Sequence, residues 1–525
     1  GPSRGTHAGR RDDPRAVIHY ASRTLTFGDE ASDALAARLH AATRHLLDHA
    51  PRGALDVIPG YLTLLLAWDA KRLSGAPLRR WLAVADGLAA GETASGDTSP
   101  GKARTVRVRY DGVDLADVAK ATGLTTAQVI ARHAAPTYTV HALGFTPGFP
   151  FLAQLDPALH LPRRATPRRN VPAHAVAIAG AQTGIYPLPS PGGWHLIGTA
   201  LDVVFDPHRP DPFLLQVGDR VRFVAGDGPT PDVPALKILL PNVPTHPRFL
   251  VEEPGLLDLI LDQGRSFAGR FGLVSGGPLD AASAQRANAL LANPASAPVL
   301  EINGSGPTLT LRDRVAAAIT GGGVAPTLNG EILPFDTTVH LRKGGTLTFP
   351  PAQRGMRAYL AVAGGFEAGS FLGSASVDLR GRIGRPLVAG DVLGVRHARL
   401  AREGFHVAPW HVPPDPASVL HVRIRPGPQA TPGALTVLTR SAYRLLRGDR
   451  TALHFEGPNV PGGEVPSEGT QLGAIQVPAD GQPRILMHDR GSLGGYAKPA
   501  LVAPVDLPRL AQARPGQAVR FLLTT

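Results

Sequence analysis

Apolar residues in the first part of the chain recur at helical spacing in some segments and form short unbroken runs in others. Residues 30–50 carry apolar side chains three to four positions apart, with Ser32 ahead of them as a candidate N-cap, and predict a helix. Residues 54–58 and 62–68 are short apolar runs that predict strands. These elements predict a small α/β unit over residues 15–110.

Short strands punctuated by glycine and proline dominate the next part of the chain. Two short helices, at 114–122 and 126–133, are expected to come first. The strands that follow are predicted at 138–143, 175–180, 183–188, 194–205 and 219–224. Many short strands with Gly and Pro turns are typical of a β-barrel or sandwich, which we expect over residues 111–228.

A proline-rich and glycine-rich stretch, residues 229–248, predicts a linker to a second β-rich region over residues 249–525. One segment of that region, residues 280–291, has the composition of a helix, with Asp280 as its candidate N-cap.

A tight Gly-containing turn that leads into an alternating strand occurs four times. The four stretches are VGDRVRF (217–223), KGGTLTF (343–349), AGDVLGV (389–395) and PGQAVRF (515–521). Two related β modules in tandem, the second one split in two, would produce this pattern. The expected fold class is therefore mainly β with α/β parts.

Composition restricts the classes of partner. The 525 residues are 43% hydrophobic and 18% charged, and the net charge of +12 comes mostly from arginine. Either an anionic partner or a compositional bias toward Arg and Ala explains this excess. Because the basic residues are dispersed, without a basic run of five, we expect no nucleic-acid partner.

The absence of cysteine excludes disulfides, Cys-based zinc sites and thiol nucleophiles. No apolar run reaches 18 residues and the first 14 residues lack an apolar core, so we expect no transmembrane helix, no signal peptide and a cytoplasmic protein. The sequence holds no P-loop and no serine-nucleophile motif. The histidines are isolated, so the question of a metal stays open.

The stretch HALGFTPGFPF, residues 141–151, combines two prolines and two glycines with three phenylalanines. The prolines and glycines exclude a regular helix or a central strand, whereas the aromatic rings favour burial. A kinked loop of this kind holds rings in fixed directions. We interpret it as the wall of a ligand pocket, with Gly144, Phe145 and Gly148 as its candidate residues, and a generic packed loop is the alternative.

Two nearby loops concentrate groups that suit a small polar acid or amide. LPRRATPRRNVP sets Arg163 and Arg168 among prolines, and arginine is suited to bidentate recognition of carboxylate or phosphate. QTGIYPLPSPGGW adds polar and aromatic candidates, namely Gln182, Tyr186, Gly192, Gly193 and Trp194. The alternative is a solvated basic loop beside a structural turn.

Two further clusters lie in the second β-rich region. SGGP, residues 275–278, precedes the predicted helix, so Ser275, Gly277 and Asp280 could face an anion at its N-terminus or form an ordinary Gly-rich cap. The segment 474–500 supplies a second set of candidates: Gln476, Asp489, Arg490, Gly494, Gly495 and Tyr496. Asp489 beside Arg490 could be a base with a charge-stabilising clamp, or a structural ion pair at a hairpin.

Long stretches of the chain resemble two known families. Residues 137–224 are similar to the allophanate hydrolase subunit 1-like family, which includes the B subunit of bacterial 5-oxoprolinase, through YTVHALGFTPGFPFL, LPRRATPRRNVP, QTGIYPLPSPGGWHLIGTA and GDRVRF. Residues 264–525 resemble the subunit 2-like family, which includes the C subunit of the same enzyme, through GLVSGGPLDAASAQRANALL, LEINGSGP, YLAVAGGF, GRPLVAGDVL, AIQVPADGQPRILMHD and LAQARPGQAVRF. The chain thus resembles a natural fusion of the B and C subunits.

The resemblance implies tandem cyclophilin-like β-barrel domains behind the N-terminal α/β subdomain, with two β-rich cyclophilin-like subdomains in residues 249–525. It also implies a function in the ATP-dependent opening of 5-oxoproline to L-glutamate, with ATP and magnesium as cofactors and a separate A-type subunit as partner. In that reaction we expect Arg163 and Arg168 to bind carboxylate or phosphate and Gln182 and Tyr186 to orient the amide. Asp489 is the expected base or metal contact, with Arg490 for charge stabilisation. A homodimer is left open.

The same resemblance extends to two other classes of protein. One is the carboxyltransferase region of urea carboxylase, which moves a carboxyl group from carboxybiotin to urea; the other is the class of sporulation-kinase inhibitors that resemble the B subunit. Biotin attachment needs a Met-Lys-Met type of hairpin, but Met356 and Met487 are followed by Arg and His, so we expect no covalently attached biotin in this chain. One departure from the families is Ala375, where GSASV stands in place of a common GSRST.

Overall fold

The structure is a computed structural model that describes residues 18–93, 101–322, 325–352, 354–398, 415 and 417–524. Its first elements are β1 (Tyr20–Thr26), α1 (Asp33–Asp48), β2 (Ala54–Pro59), β3 (Thr63–Asp69) and α2 (Gly75–Ala90). The strands form an antiparallel sheet in the order β1-β3-β2, and both helices pack their apolar faces against it. Helix α1 begins after Ser32, whose hydroxyl accepts the backbone N–H of Leu35, as the sequence predicted.

A closed seven-stranded barrel follows, which we call the first barrel. Its elements are β4 (Ala103–Arg109), α3 (Leu115–Thr122), α4 (Thr126–Ala134), β5 (Thr137–Leu143), β6 (Pro150–Ala153), β7 (Arg168–Val171), β8 (Ala175–Ala179), β9 (Gln182–Ile185), β10 (Ser190–Gly192), β11 (His195–Ala200) and β12 (Arg220–Ala225), with a 3-10 turn at Pro157–Leu159. The strand order around the ring is β11-β4-β12-β5-β6-β9-β8, and β4 runs parallel to β12.

Strand β4 belongs to this barrel, although the sequence-based division placed it in the N-terminal unit of residues 15–110. Its alternation explains the pairing, because Val106 and Val108 are fully buried in the barrel core while Arg107 between them is exposed. The N-terminal sheet itself comprises only β1, β2 and β3.

The middle region is built from two sheets around one core. Its elements are β13 (His246–Glu253), β14 (Asp258–Leu261), α5 (Ala281–Leu290), β15 (Val299–Asn303), β16 (Thr308–Leu311), β17 (Val315–Gly321), β18 (Thr327–Leu328), β19 (Glu331–Ile332), β20 (Thr338–Leu341), β21 (Thr346–Thr348), β22 (Arg357–Val362) and β23 (Val392–Val395), with a 3-10 turn at Gly269–Phe271. Six strands form one sheet and five the other, and both contribute to the same hydrophobic core. Helix α5 packs on β17 and β22, and its N-cap is Asp280, as predicted.

The last part repeats the topology of the first barrel, and we call it the second barrel. Its elements are β24 (Leu420–Pro426), α6 (Pro432–Arg440), β25 (Ala442–Gly448), β26 (Ala452–Glu456), β27 (Glu464–Gly469), β28 (Ala474–Val477), β29 (Arg484–Leu486), β30 (Leu493–Val502), α7 (Leu507–Ala511) and β31 (Ala518–Leu523), with a 3-10 turn at Pro504–Asp506. Pairing of β24 with β30 closes a ring in the order β24-β31-β25-β26-β29-β28-β30.

The two rings correspond strand by strand. In each, the first strand runs parallel to the last, β4 with β12 and β24 with β31. The repeated VRF of the sequence lies in these last strands, where Val221, Phe223, Val519 and Phe521 are buried in their respective cores. This confirms the expected fold class, which is mainly β with tandem barrels behind a small α/β subdomain. In the part of the chain that the structure describes, no helix is long and apolar enough to cross a membrane.

Candidate functional site

A cavity of about 520 Å³ lies between the two barrels, and we call it the inter-barrel cavity. The first barrel lines it with Phe145, Phe149, Phe151, Arg163, Arg164, Pro167, Tyr186, Gly192, Gly193 and Trp194. The second barrel lines it with Thr451, Glu464, Ser467, Thr470, Gln476, Leu486, Gly491, Leu493, Gly494, Gly495 and Tyr496, and Arg380 of the middle region completes the lining. Residues proposed from two separate sequence clusters therefore meet at one cavity.

Aromatic side chains form one wall of the inter-barrel cavity. The ring of Phe149 lies at the centre of this wall, with ring centroids 5.0 Å from Tyr186 and 5.5 Å from Trp194, both nearly edge to face. Phe145 contacts Phe149 and Tyr186 in the same manner. The loop is tight because the backbone N–H of Gly144 donates to the carbonyl of Phe149. This apolar wall suits the face of a small ring or a short aliphatic chain.

Tyr186 places its phenol at the cavity, where the phenol lies close against Gly192. It follows directly after β9, is buried, and has a pKa raised to about 12 by burial, so it stays protonated at neutral pH. A Cβ atom on Gly192 would lie 2.2 Å from its phenol oxygen, a distance that no side chain could occupy. Glycine at 192 is therefore required by the close approach of the tyrosine.

The segment LPRRATPRRNVP, residues 161–172, which we call the Arg–Pro loop, contains arginines that pair with a carboxylate of the barrel and one that does not. Arg164 and Arg168 both donate to Oδ1 of the buried Asp114, at 3.0 and 2.6 Å, and Asp114 also accepts the backbone N–H of Leu196. Arg168 is thus anchored away from the cavity, which it does not line, because its guanidinium is engaged by a carboxylate of the barrel. Arg163 lines the cavity, and within the described residues its guanidinium has neither a hydrogen bond nor an ion pair. Among the arginines of this loop that line the cavity, it is therefore the one whose guanidinium has no partner and is available to a ligand.

The second barrel contributes an amide to the cavity. Gln476 in β28 is nearly buried, and its side-chain amide has no hydrogen-bond partner among the residues that the structure describes. A Cβ on Gly494 would lie 2.9 Å from Nε2 of this glutamine, whereas one on Gly495 would meet atoms no nearer than 3.4 Å. The first glycine of the pair therefore gives the amide its space, and the second borders the open cavity.

The glycine pairs occupy corresponding places in the two barrels. Gly192–Gly193 precede β11 and Gly494–Gly495 lie at the start of β30, and each of these strands pairs with the first strand of its own barrel. An aromatic residue follows each pair, Trp194 in one barrel and Tyr496 in the other, both of which line the cavity. The two equivalent segments thus face each other across one site.

Two residues that matter at this site, Arg380 and Asp114, have site roles that the sequence does not indicate. Arg380 lines the cavity from a turn in which Gly381 donates to Asp378, and its guanidinium donates to the carbonyl of Phe145 at 2.6 Å. Asp114 was considered only as the start of a helix, yet it anchors the Arg–Pro loop. Neither role leaves a signal in sequence spacing, because both partners lie far away along the chain.

Gly144 and Gly148 shape the aromatic loop without lining the cavity. A Cβ on Gly144 would lie 2.5 Å from the side chain of Leu493, so this glycine permits close contact between the two barrels. Gly148 has a φ of +74° and faces Phe205 and Phe213 on the side of the loop that packs into the core. The expectation that both act as pocket walls is corrected, since their role is to allow the backbone to approach these neighbours.

Gln182 is also separated from the cavity. It begins β9 while Tyr186 follows the end of that strand, so the two are roughly 13 Å apart at about 3.3 Å per residue. The structure therefore gives Gln182 no place beside Tyr186 in orienting an amide, and Gln476 is the glutamine that lines the cavity.

Asp489 and Arg490 do not pair with each other. Both carboxylate oxygens of Asp489 accept hydrogen bonds from Arg450, at 2.7 and 2.9 Å, and Arg450 also donates to Glu301 at 2.6 Å. Burial by itself lowers the pKa of Arg450, but the two carboxylates more than offset it and raise that pKa, so the guanidinium remains charged. The role of Asp489 as a base is corrected, because its carboxylate is committed to a buried ion network.

Arg490 turns away from the inter-barrel cavity, which corrects its expected role there. Its Nε donates to the carbonyl of Thr470, and its guanidinium lies over the ring of Tyr20. Together with Ser275 and Gly277 it lines a second cavity, whereas Asp280 is buried as the cap of α5 and lines neither cavity.

A resident magnesium ion does not fit the residues of the inter-barrel cavity. Glu464 is the one carboxylate among its described lining residues, and the described part of the chain holds no group of three His, Cys, Asp or Glu side chains that could bind a metal. Ala375 lies in the hydrophobic core and lines neither cavity.

Comparison with known proteins agrees with the two-part organisation. The family model for the carboxyltransferase domain, subdomain C and D, matches residues 17–215, and the model for subdomain A and B matches residues 271–523. The crystal structure of TTHA0988 superposes with a TM-score of 0.90 at 49% sequence identity, covering 96% of this chain and 100% of that one.

Curated relatives include two components of one enzyme. The B subunit of 5-oxoprolinase from Haemophilus influenzae is 54% identical over 113 residues, which are 22% of this chain and 53% of that protein, so the match spans about half of its length. The C subunit of 5-oxoprolinase from Escherichia coli K12 is 30% identical over 282 residues, 51% of this chain and 88% of that protein. Urea amidolyase of Lachancea kluyveri is 28% identical over 306 residues, 52% of this chain and 17% of that protein.

A chain that combines a C/D part and an A/B part in this order is a two-part carboxyltransferase-domain protein. It belongs to the family that contains the B and C subunits of 5-oxoprolinase, and it spans both of these parts. Since these relatives are named as subunits, the chain is related to components of a multi-subunit enzyme.

Proposed function

We propose that the chain is the B–C component of an ATP-dependent 5-oxoprolinase and that 5-oxoproline binds in the inter-barrel cavity. In this proposal the lactam is opened to L-glutamate together with a separate A-type subunit. The observation that carries the proposal is that one cavity draws its lining from both parts of the chain, which in the relatives correspond to separately named subunits of 5-oxoprolinase.

The chemistry of the lining matches the parts of this ligand. 5-Oxoproline is a flat five-membered lactam with one carboxylate. Arg163, the cation without an internal partner, would bind the carboxylate, and the wall of Phe145 and Phe149 would cover the ring. The amide of Gln476 and the protonated phenol of Tyr186 would orient the lactam N–H and carbonyl from opposite barrels.

ATP and magnesium enter this proposal only through the resemblance to 5-oxoprolinase. The described residues of the cavity fit the binding and orientation of the lactam and do not fit a resident metal. We therefore assign recognition of 5-oxoproline to this chain and expect turnover to require the A-type subunit, ATP and magnesium in addition.

The direct test mixes the purified chain with an A-type subunit, ATP, magnesium and 5-oxoproline and measures glutamate. We expect turnover in the complete mixture and a kcat/KM lowered roughly 10- to 100-fold in Arg163→Gln, because a hydrogen-bonded charge pair contributes about 1.5–3 kcal/mol. The matched control is Arg169→Gln, an exposed arginine of the same loop outside the cavity, which should behave as the unchanged protein.

A carboxyltransferase acting on urea or a related amide is the second candidate. It is favoured by the two matching family models and by the similarity to urea amidolyase. Residues 1–525 contain no lysine context for attached biotin, so the carboxyl carrier would lie elsewhere. Transfer of a carboxyl group from carboxybiotin to urea, without any glutamate from 5-oxoproline, would replace the first proposal by this one.

A further inference from the structure

A second cavity, of about 260 Å³, lies where the N-terminal sheet, the middle region and the second barrel meet. We call it the junction cavity. Its walls include Tyr20 and Asp56 of the N-terminal sheet, the loops 262–266 and 275–278, the first turns of α5, and His488 with Arg490. It shares no lining residue with the inter-barrel cavity.

Buried polar atoms without partners are concentrated around the junction cavity. Arg265 and Gln285 are only 3% and 8% exposed, yet Nη1 of the arginine and Oε1 of the glutamine have no hydrogen-bond partner among the described residues. Four further atoms on its lining residues share this state: Tyr20 Oη, Asp69 Oδ2, Gln263 Nε2 and His488 Nδ1. Since each such atom costs about 1–3 kcal/mol when left unsatisfied, six around one cavity point to a polar ligand.

Arg265 is held so that one nitrogen remains free. Its Nε donates to the carbonyl of Phe371 at 3.2 Å and its Nη2 to the carbonyl of Ser376, while its backbone N–H donates to the carbonyl of Ser275. These contacts fix the guanidinium beside the glycines of SGGP, where a Cβ on Gly276 would lie 3.7 Å from Nη1. A preorganised cation with one unused donor results.

Two of the three aspartates that line the junction cavity, Asp56 and Asp262, are engaged by hydrogen bonds. Asp262 accepts from Gly264, Ala375 and two serine hydroxyls, and Asp56 accepts from the backbone N–H groups of Val57 and Gly269. Asp69 forms an ion pair with Arg72, but its buried Oδ2 accepts no hydrogen bond from the described residues. The unused hydrogen-bonding capacity therefore consists of donors on Arg265, Gln263 and Tyr20 together with acceptors on Gln285 and Asp69.

We propose that the junction cavity binds a small oxyanion that also carries a hydrogen-bond donor, such as hydrogen phosphate or a small amino or hydroxy carboxylate. Arg265, Gln263 and Tyr20 would donate to its oxygens, with the guanidinium of Arg490 adding positive charge. Gln285 would accept its O–H or N–H. His488 is neutral because burial lowers its pKa to about 3, so its Nδ1 can donate or accept according to the ligand.

The test measures binding of inorganic phosphate and, separately, of L-glutamate to the full chain by titration calorimetry, without ATP or 5-oxoproline. Tyr20→Phe and Gln285→Leu remove one unpartnered polar group each and keep the bulk of the side chain. We expect saturable binding of one of the two probes, weakened roughly 10-fold by each variant, as for a lost hydrogen bond to a charged ligand. Thermal stability without the probe should change little in either variant, because each keeps the bulk of its side chain and Tyr20→Phe keeps the ring under Arg490.

Two control variants locate the binding. Tyr61→Phe removes another buried, unpartnered phenol of the N-terminal unit that lies outside the junction cavity, and should bind the probe normally. Arg163→Gln alters the inter-barrel cavity alone and should do the same. Absence of saturable binding of both probes, equal affinity in Tyr20→Phe, Gln285→Leu and the unchanged protein, or loss of binding in Arg163→Gln would each overturn the proposal. Because no turnover is measured, the outcome is independent of the 5-oxoprolinase assay.

Discussion

In the first barrel, the glycine pair at the edge of the inter-barrel cavity lies against the phenol of Tyr186, whereas in the second barrel the corresponding pair lies against the amide of Gln476. The strand order and the position of the glycines are the same in both. The side chains are not, because the first barrel supplies rings and a free guanidinium and the second supplies an amide and hydroxyls. One backbone arrangement, used twice, thus presents two complementary kinds of chemistry to a single cavity.

The ion pairs formed by Asp489 in the second barrel and by Asp114 in the first barrel differ as well. Asp489 is paired with Arg450, whose side chain is only 5% exposed, whereas the arginines that hold Asp114 keep 33% and 23% of their side chains exposed. We expect Asp489→Asn to lower the free energy of unfolding by about 3 kcal/mol and Asp114→Asn by about 1 kcal/mol. Urea unfolding of both variants measures the difference, and equal losses would show that the two networks do not differ in burial as described.

Gly192, the first glycine of the pair in the first barrel, should be the most sensitive position for ligand binding. Alanine at 192 would place Cβ 2.2 Å from the phenol oxygen of Tyr186, so the ring must move. We expect Gly192→Ala to weaken 5-oxoproline binding roughly 10- to 100-fold, as for other overpacked sites. Gly193→Ala is the matched control, because its nearest contact would be an ordinary 3.7 Å. Equal affinities in the two variants would contradict this assignment.

The corresponding change in the second barrel should have a smaller effect. A Cβ on Gly494 would meet the end of the Gln476 side chain at 2.9 Å, and this flexible amide can shift by a few tenths of an ångström. We expect Gly494→Ala to weaken binding about 3- to 10-fold and Gly495→Ala to leave it nearly unchanged. A larger loss in Gly495→Ala than in Gly494→Ala would reverse the roles assigned to the two glycines.

The smallest expected effect is a pH dependence of the free energy of unfolding, caused by Asp114 in the first barrel. Burial alone would raise the pKa of Asp114, but hydrogen bonds from Arg168 and from the backbone of Leu196 more than offset it and hold the pKa below its usual value of 3.8. The stabilisation is therefore present above the usual pKa and is lost as the pH falls through the lowered pKa, by under about 1 kcal/mol. Unfolding measured from about pH 2 to about pH 6 should show this loss in the unchanged protein and not in Asp114→Asn.

Much of the fold could be predicted from local pattern. The cap at Ser32, the helix after Asp280 and the repeated VRF strands all depend on residues adjacent in sequence, and the structure confirms them. Strand β4 was assigned to the wrong neighbours because its parallel partner, β12, begins more than a hundred residues later. Alternation of apolar side chains predicts a strand but does not say which sheet receives it.

The residues of the candidate site were also predicted correctly where they depend on local pattern and incorrectly where they depend on distant partners. The aromatic and Gly-Gly motifs were located because rings and glycines are concentrated in short stretches, and they do meet at one cavity. Arg168 and Asp489 do not have the roles expected of them, because Arg168 pairs with Asp114, 54 residues away, and Asp489 pairs with Arg450, 39 residues away. Whether a charged side chain is free for a ligand is decided by such distant partners, so only the structure distinguished Arg163 from Arg168.

In the proposed function, both barrels bind one ligand in the cavity between them. Titration of 5-oxoproline into the unchanged protein, Arg163→Gln and Gln476→Leu tests it most directly, because each variant alters one barrel. We predict saturable binding that each variant weakens roughly tenfold or more. Affinity that depends on residues of one barrel alone, or binding that neither variant changes, would contradict the account.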